Sequence, residues 1–165
     1  MIDCVIEDPR WADAGLEGLS TRATQYVFDH FGLATDQHEV AILGCDDARI
    51  KELNSDFRDK DTATNVLSWP SDERGAAVPG GQPDKISPDE FELGDIAISF
   101  DTCHREATQA NKPFEHHVVH LIVHANLHLL GYDHIDDKDA ALMESIEIDI
   151  LEKMGLPNPY AFDGE

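Results

Sequence analysis

Basic residues are scarce in this chain: 12 Lys and Arg stand against 34 Asp and Glu, for a formal charge of -22. Phosphate binding normally leans on Lys and Arg, so a protein this acidic has no global attraction to nucleic acid. Cysteine is sparse too. Cys4, Cys45 and Cys103 are odd in number, widely separated and without CxxC spacing. That argues against a disulfide framework or a thiolate metal site and leaves free buried thiols as the plain account. No stretch approaches the roughly 18 consecutive apolar residues of a membrane span. The start, Met1-Ile2-Asp3-Cys4-Val5-Ile6-Glu7, lacks a basic flank and a long apolar region, so no membrane association is expected and the expected compartment is the cytoplasm. With 165 residues and 41% hydrophobic content, a single domain spanning 1–165 with a real core is expected.

The few cations are unevenly placed. Arg49, Lys51, Arg58 and Lys60 fall within one short segment, which fits either a local positive patch on an acidic body or a solvated helix face with scattered charges. Along the chain, Ile2 to Ile6 reads as a short strand, and Asp8-Pro9 supplies a cap and a first-turn proline for a helix ended by Gly32. Val40 to Leu43 is a second strand, followed by a helix from about Ala48 to Phe57 with Arg58 just past it. Asn65 to Trp69 and Asp95 to Phe100 are the third and fourth strands. Between them, Ser71 to Asp89 carries Gly75, Pro79, Gly80, Gly81, Pro83 and Pro88 and reads as an exposed loop. Helices are expected over about Thr102–Ala110, Pro113–Leu130 and Asp139–Met154. The order βαβαββααα implies an α+β fold, a small mixed four-stranded sheet packed with about five helices.

Histidine is plentiful, and three of the nine stand out. His124, His128 and His134 have the spacing H-x3-H-x5-H. Residues four apart lie on one face of a helix, so the first two imidazoles can converge on one ion. Gly131 allows a left-handed turn that ends the helix and brings His134 back as a third ligand. Three neutral imidazoles suit zinc, one ion per chain, with a fourth position for water. His120, one turn earlier, is either an outer partner of the site, a substrate-facing group or a plain surface histidine.

With these residues in view, the chain resembles the YbeY family of bacterial endoribonucleases, implicated in ribosomal RNA maturation. The resemblance rests on three motifs: Asn54-Ser55-Asp56-Phe57-Arg58 continuing to Thr64-Asn65-Val66-Leu67-Ser68-Trp69-Pro70; Leu93-Gly94-Asp95-Ile96-Ala97-Ile98-Ser99; and His120 followed by the triad segment. It implies a zinc ion on His124, His128 and His134, an essential Arg58, and hydrolysis of single-stranded RNA, with ribosomal RNA and a ribosomal or ribosome-associated protein as partners and no DNA. The chain departs from the family pattern at Ala125, usually glycine, at Asn65, usually aspartate, and at Trp69, usually phenylalanine.

In such a site Arg58 offers a planar, permanently charged fork that matches a phosphate. Arg58 and the ligand His124 are the candidate catalytic residues; pairing of Arg58 with Asp56 or Asp59 is the plain alternative. Asp133, Asp95 and Ser68, with His120, are candidates to orient a histidine or a water, or simply to be solvated. Two other functions are open to the same motif. A metzincin-like metallopeptidase shares the zinc helix but needs a glutamate where this chain has Ala125, which cannot accept a proton. A non-catalytic ribosome-assembly factor would use the metal only to pin its C-terminal helices.

Overall fold

The computed structural model describes residues 2–160 except 73, 77, 84 and 88, so Pro88 of the expected loop lies outside the described residues. Strand β1 (Ile2–Ile6) leads into helix α1 (Arg10–Ala14) and helix α2 (Leu16–Phe31). The single helix expected after Pro9 is therefore two. Gly15, at φ 76°, breaks it, so that Trp11 and Leu16 both pack against strand β2 (Glu39–Cys45) at Gly44, where even a Cβ would collide with their side chains. The Trp11 indole N–H donates to the carbonyls of Cys45 and Ile98, at 3.0 and 3.2 Å, which satisfies the one polar atom of a fully buried side chain.

Helix α3 (Asp47–Arg58) starts at the cap Asp46, whose carboxylate accepts from Arg49 N, and ends at Asp59 in the left-handed region. Arg58 is its last residue rather than the first beyond it. Strand β3 (Val66–Pro70) begins after Asn65, and strand β4 (Glu92–Ser99) begins three residues earlier than expected. Phe100, expected in that strand, opens helix α4 (Phe100–Gln109), followed by α5 (Phe114–Leu129) and α6 (Asp137–Lys153).

The sheet order is β1-β2-β4-β3. β1, β2 and β4 run parallel, with Cys4 beside Ile42 and Ile42 beside Ile96, while β3 pairs antiparallel with β4, Leu67 beside Ala97. Parallel neighbours require crossovers, which α1–α2 and the α3–β3 segment supply. The alternation of β2 places Val40 and Ile42 in the main core. There they meet α2 and the buried α5 side chains Val118, Ile122 and Leu129. On the other face α3 covers only a small cluster of Cys45, Ile50, Leu67 and Ala97. α5 touches α2, α4, α6 and both β3 and β4. Helix α5 is thus packed against three helices and two strands, and its last turn lies at the cleft. No described helix is long and apolar enough to cross a membrane.

Candidate metal centre

His124 and His128 lie one turn apart near the end of α5, with ring centroids 4.6 Å apart. The helix then closes with two bonds, Tyr132 N–H to the Leu127 carbonyl and Gly131 N–H to the His128 carbonyl, both 3.0 Å. This is the pairing that satisfies last-turn carbonyls when the next residue has positive φ, and Gly131 sits at φ 104°. The turn swings exposed His134 back, its ring centroid 5.2 Å from His124 and 5.1 Å from His128. The ligand atoms of all three lie within 4.8 Å of one another.

The tautomers follow from the hydrogen bonds. His128 Nδ1 lies 2.9 Å from the Tyr132 carbonyl, which can only accept, so Nδ1 carries the proton and Nε2 a lone pair. His124 Nδ1 lies 2.6 Å from Glu147 Oε1, which places its lone pair on Nε2 as well. The two Nε2 atoms face each other at 3.0 Å. Two lone pairs at that distance repel unless a cation lies between them, and nitrogens on one tetrahedral zinc stand about 3.3 Å apart. The donor set therefore fits a metal ion. Burial pushes the His128 imidazolium down to about 4, and His124 and His134 add to the shift. His128 is thus neutral, the form that coordinates, at neutral pH.

The three histidines open on a cleft of about 1030 Å³ that also contains Arg58, Lys60, Ser68, His120, Asp133 and Tyr160. Arg58 makes no ion pair with Asp56 or Asp59; its guanidinium donates to the Ser68 carbonyl at 2.5 Å. The expected basic patch is divided. Arg49 pairs with Glu7 and Glu52, Lys51 with Asp61, and only Arg58 and Lys60 of the four line the cleft. Asp133 lies in the cleft, but its carboxylate caps the turn at Ile135 N, 3.1 Å away, and does not orient a histidine. Asp95 is a correction. It is exposed on the far face of the sheet, in a separate groove with Val5, Phe57 and Trp69, and has no part in this cleft.

Two residues that the sequence did not point to support the site. Arg74, 5% exposed, donates to the Leu129 carbonyl at 2.9 Å and pairs with Glu90 at 3.1 Å. It pins the 71–89 segment onto the end of α5, and its own carbonyl lies against Gly131. Glu147 is fully buried on α6 and meets both His120 and His124. A lone acid on the same helical face as Met143, Ile150 and Leu151 is the signal that could have found it, since an unpartnered charge is not tolerated there.

Fold and site together define a class: a mixed α+β fold that brings three histidines close enough to hold a metal ion, beside an arginine-bearing cleft. A family model described as endoribonuclease YbeY matches residues 3–155. The endoribonuclease YbeY of Ruegeria sp. strain TM1040 is 51% identical over 166 residues, covering 99% of this chain and 98% of the relative. That of Paracoccus denitrificans strain Pd 1222 is 54% identical over 159 residues, covering 96% and 89%. The solution structure of TM1509 from Thermotoga maritima superposes with a TM-score of 0.56 at 22% identity over 100% of this chain and 99% of the other, which shows a shared fold. The chain belongs to the YbeY endoribonuclease family.

Proposed function

We propose that this protein is a zinc-dependent endoribonuclease of the cytoplasm that cuts single-stranded RNA during ribosomal RNA maturation. Family membership supports the reaction class. The observation that carries the metal is the pair of facing Nε2 lone pairs of His124 and His128 with His134 beside them. A bound zinc would supply a nucleophile near neutral pH and positive charge for a phosphoryl oxygen.

The chain's own residues do the rest. One Arg58 N–H is anchored on the Ser68 carbonyl, which orients the guanidinium and leaves its other donors for the scissile phosphate and the charge that develops on it. Lys60 extends the positive lining along the cleft. The attacking oxygen comes from water or from the ribose 2′-hydroxyl, and neither route needs the glutamate that a peptidase keeps where Ala125 stands. Ala125 is buried on α5, with no titratable atom to offer.

The test is purified, metal-loaded protein on single-stranded and structured RNA, beside His128→Ala and Arg58→Ala prepared identically, with casein as a second substrate. The expected result is cleavage of single-stranded RNA only. It is lost with the metal in His128→Ala and lost with metal retained in Arg58→Ala. Arg58→Lys stays clearly impaired, because a point charge lacks the bidentate fork. Wild-type rates in both variants would refute the reading, as would zinc-dependent cleavage of casein with RNA untouched.

A further inference from the structure

Glu147 touches neither the cleft's arginine nor a substrate position, yet every hydrogen bond it makes leads to the metal centre. Its side chain is 0% exposed on the core-facing side of α6. Burying a carboxylate among apolar side chains is costly unless each oxygen is occupied, and here each is. Oε1 takes His124 Nδ1–H at 2.6 Å, while Oε2 takes His120 Nε2 at 2.8 Å and the Tyr160 hydroxyl at 2.5 Å.

We infer that Glu147 is the positioning residue of the metal centre: its carboxylate fixes His124 as the Nδ1–H tautomer and aims Nε2 at the ion, while His120 and Tyr160 hold its second oxygen in place. Oε2 already takes the Tyr160 hydroxyl and His120, and Oε1 accepts at 2.6 Å, so Nδ1 of His124 donates and Nε2 keeps its lone pair. A hydrogen-bonded anion behind a ligand histidine also raises its basicity, and loss of such a partner typically weakens metal binding ~10–100-fold. His120, Tyr160 and Glu147 thereby form one clamp that ties α5, α6 and residue 160 to the same imidazole.

The rival role is that Glu147 is itself a ligand, since His120, His124 and Glu147 bring three donor atoms within 4.8 Å. The pairing decides against it. His124 Nδ1 with Oε1 at 2.6 Å and His120 Nε2 with Oε2 at 2.8 Å are donor–acceptor pairs that need no ion between them, unlike the two facing Nε2 lone pairs of His124 and His128. His124 Nδ1 also cannot both donate to Glu147 and coordinate.

The inference rests on the metal reading of His124, His128 and His134, and the experiment separates the two. Zinc and cobalt affinity and stoichiometry are measured by chelator competition for wild type, Glu147→Gln, Tyr160→Phe and His128→Ala, with the cobalt absorption spectrum recorded for each. Expected are one ion per chain in wild type, binding weakened ~10–100-fold with a shifted cobalt spectrum in Glu147→Gln, a smaller loss in Tyr160→Phe, and none bound in His128→Ala. Unchanged affinity and spectrum in Glu147→Gln overturn the positioning role alone. Two ions in wild type, falling to one in Glu147→Gln, make Glu147 a ligand and also overturn it. Wild type that binds no metal, or His128→Ala that binds as wild type does, removes the metal reading and this inference with it. Should Glu147→Gln fail to fold, long-range proton–nitrogen correlation of histidine-labelled metal-free wild type reads the tautomer directly. Nδ1–H on His124 supports the assignment, and Nε2–H overturns it.

Discussion

Asn65 shows how one atom changes what a position does. Its side-chain amide donates to Glu106 Oε1 at 3.0 Å, and Glu106 in turn meets His117 Nε2 at 3.0 Å. Its Oδ1 accepts from Val66 N at 2.6 Å and so caps the entry to β3. Aspartate, the residue expected there from the family pattern, would keep the cap but set a second carboxylate against Glu106. Like charges at hydrogen-bond distance on half-buried side chains repel, and a buried donor is lost as well. Asn65→Asp should therefore cost about 1–2 kcal/mol of stability at neutral pH, seen in urea unfolding. The deficit should shrink in acid, where protonation of either carboxyl removes the repulsion. A variant as stable as wild type at neutral pH would remove the Asn65–Glu106 bond from the account of β3. The thiols are simpler. Burial pushes the Cys45 thiol up to about 12 and Cys103 higher still, so both should resist thiol reagents until the protein unfolds.

Elements differ in how far they could be read from the chain, and the turn after α5 shows why. The histidine spacing and Gly131 are enough to expect a helix, a positive-φ residue and a histidine returning beside the first two, because those are local demands on the backbone. Arg74 was invisible by the same route, since its partners Leu129 and Glu90 become neighbours only when the 71–89 segment folds over α5. Glu147 was missed for a like reason: its histidines lie more than twenty residues away in sequence. The break at Gly15 also escaped, because what it permits, the docking of both Trp11 and Leu16 on Gly44, is a contact distant in sequence. These differences give a paired prediction. A Cβ at residue 131 would meet the Arg74 carbonyl oxygen at 2.6 Å, whereas at Gly15 it would meet nothing within 4 Å. Both residues hold positive φ, so alanine at either costs about 1–3 kcal/mol of backbone strain. Only Gly131→Ala must also displace the turn that carries His134, so it alone should weaken zinc binding, measured by chelator competition. Equal metal affinities in Gly131→Ala and Gly15→Ala would mean that the Arg74 contact does not position His134.

At the scale of the whole molecule, charge sets both stability and reach. Arg10 hydrogen-bonds Asp8 and pairs with Asp101 at 2.8 Å, so both carboxyls are held below their ordinary value, chiefly by Arg10; Glu90 is lowered first by the Ser87 backbone N–H and also by Arg74. A folded-state pKa below the unfolded one gives stability that is complete above the ordinary carboxylate range and lost as pH falls through it toward the folded value. Stability should therefore fall below about pH 4, and Arg10→Gln should lower it at neutral pH while flattening that acid limb in urea titrations; an unchanged limb would assign it to other acids. The same acidity limits RNA binding. With a formal charge of -22, long-range attraction to phosphate is absent, and the cleft offers Arg58 and Lys60 while Arg74 is committed to Glu90. Two phosphates neutralised on a single strand, at about 0.7 each, predict that log affinity falls against log salt with a slope of only about −1.4. Fluorescence anisotropy of metal-free protein with a short fluorescent oligoribonucleotide, in which Arg58→Ala leaves one phosphate contact, should give a slope of about −0.7. Adding Lys60→Ala should make binding nearly salt-independent. A slope steeper than about −3 in Arg58→Ala would place the RNA on cations outside the cleft, and the proposed path of the strand past His124, His128 and His134 would have to be redrawn from those residues.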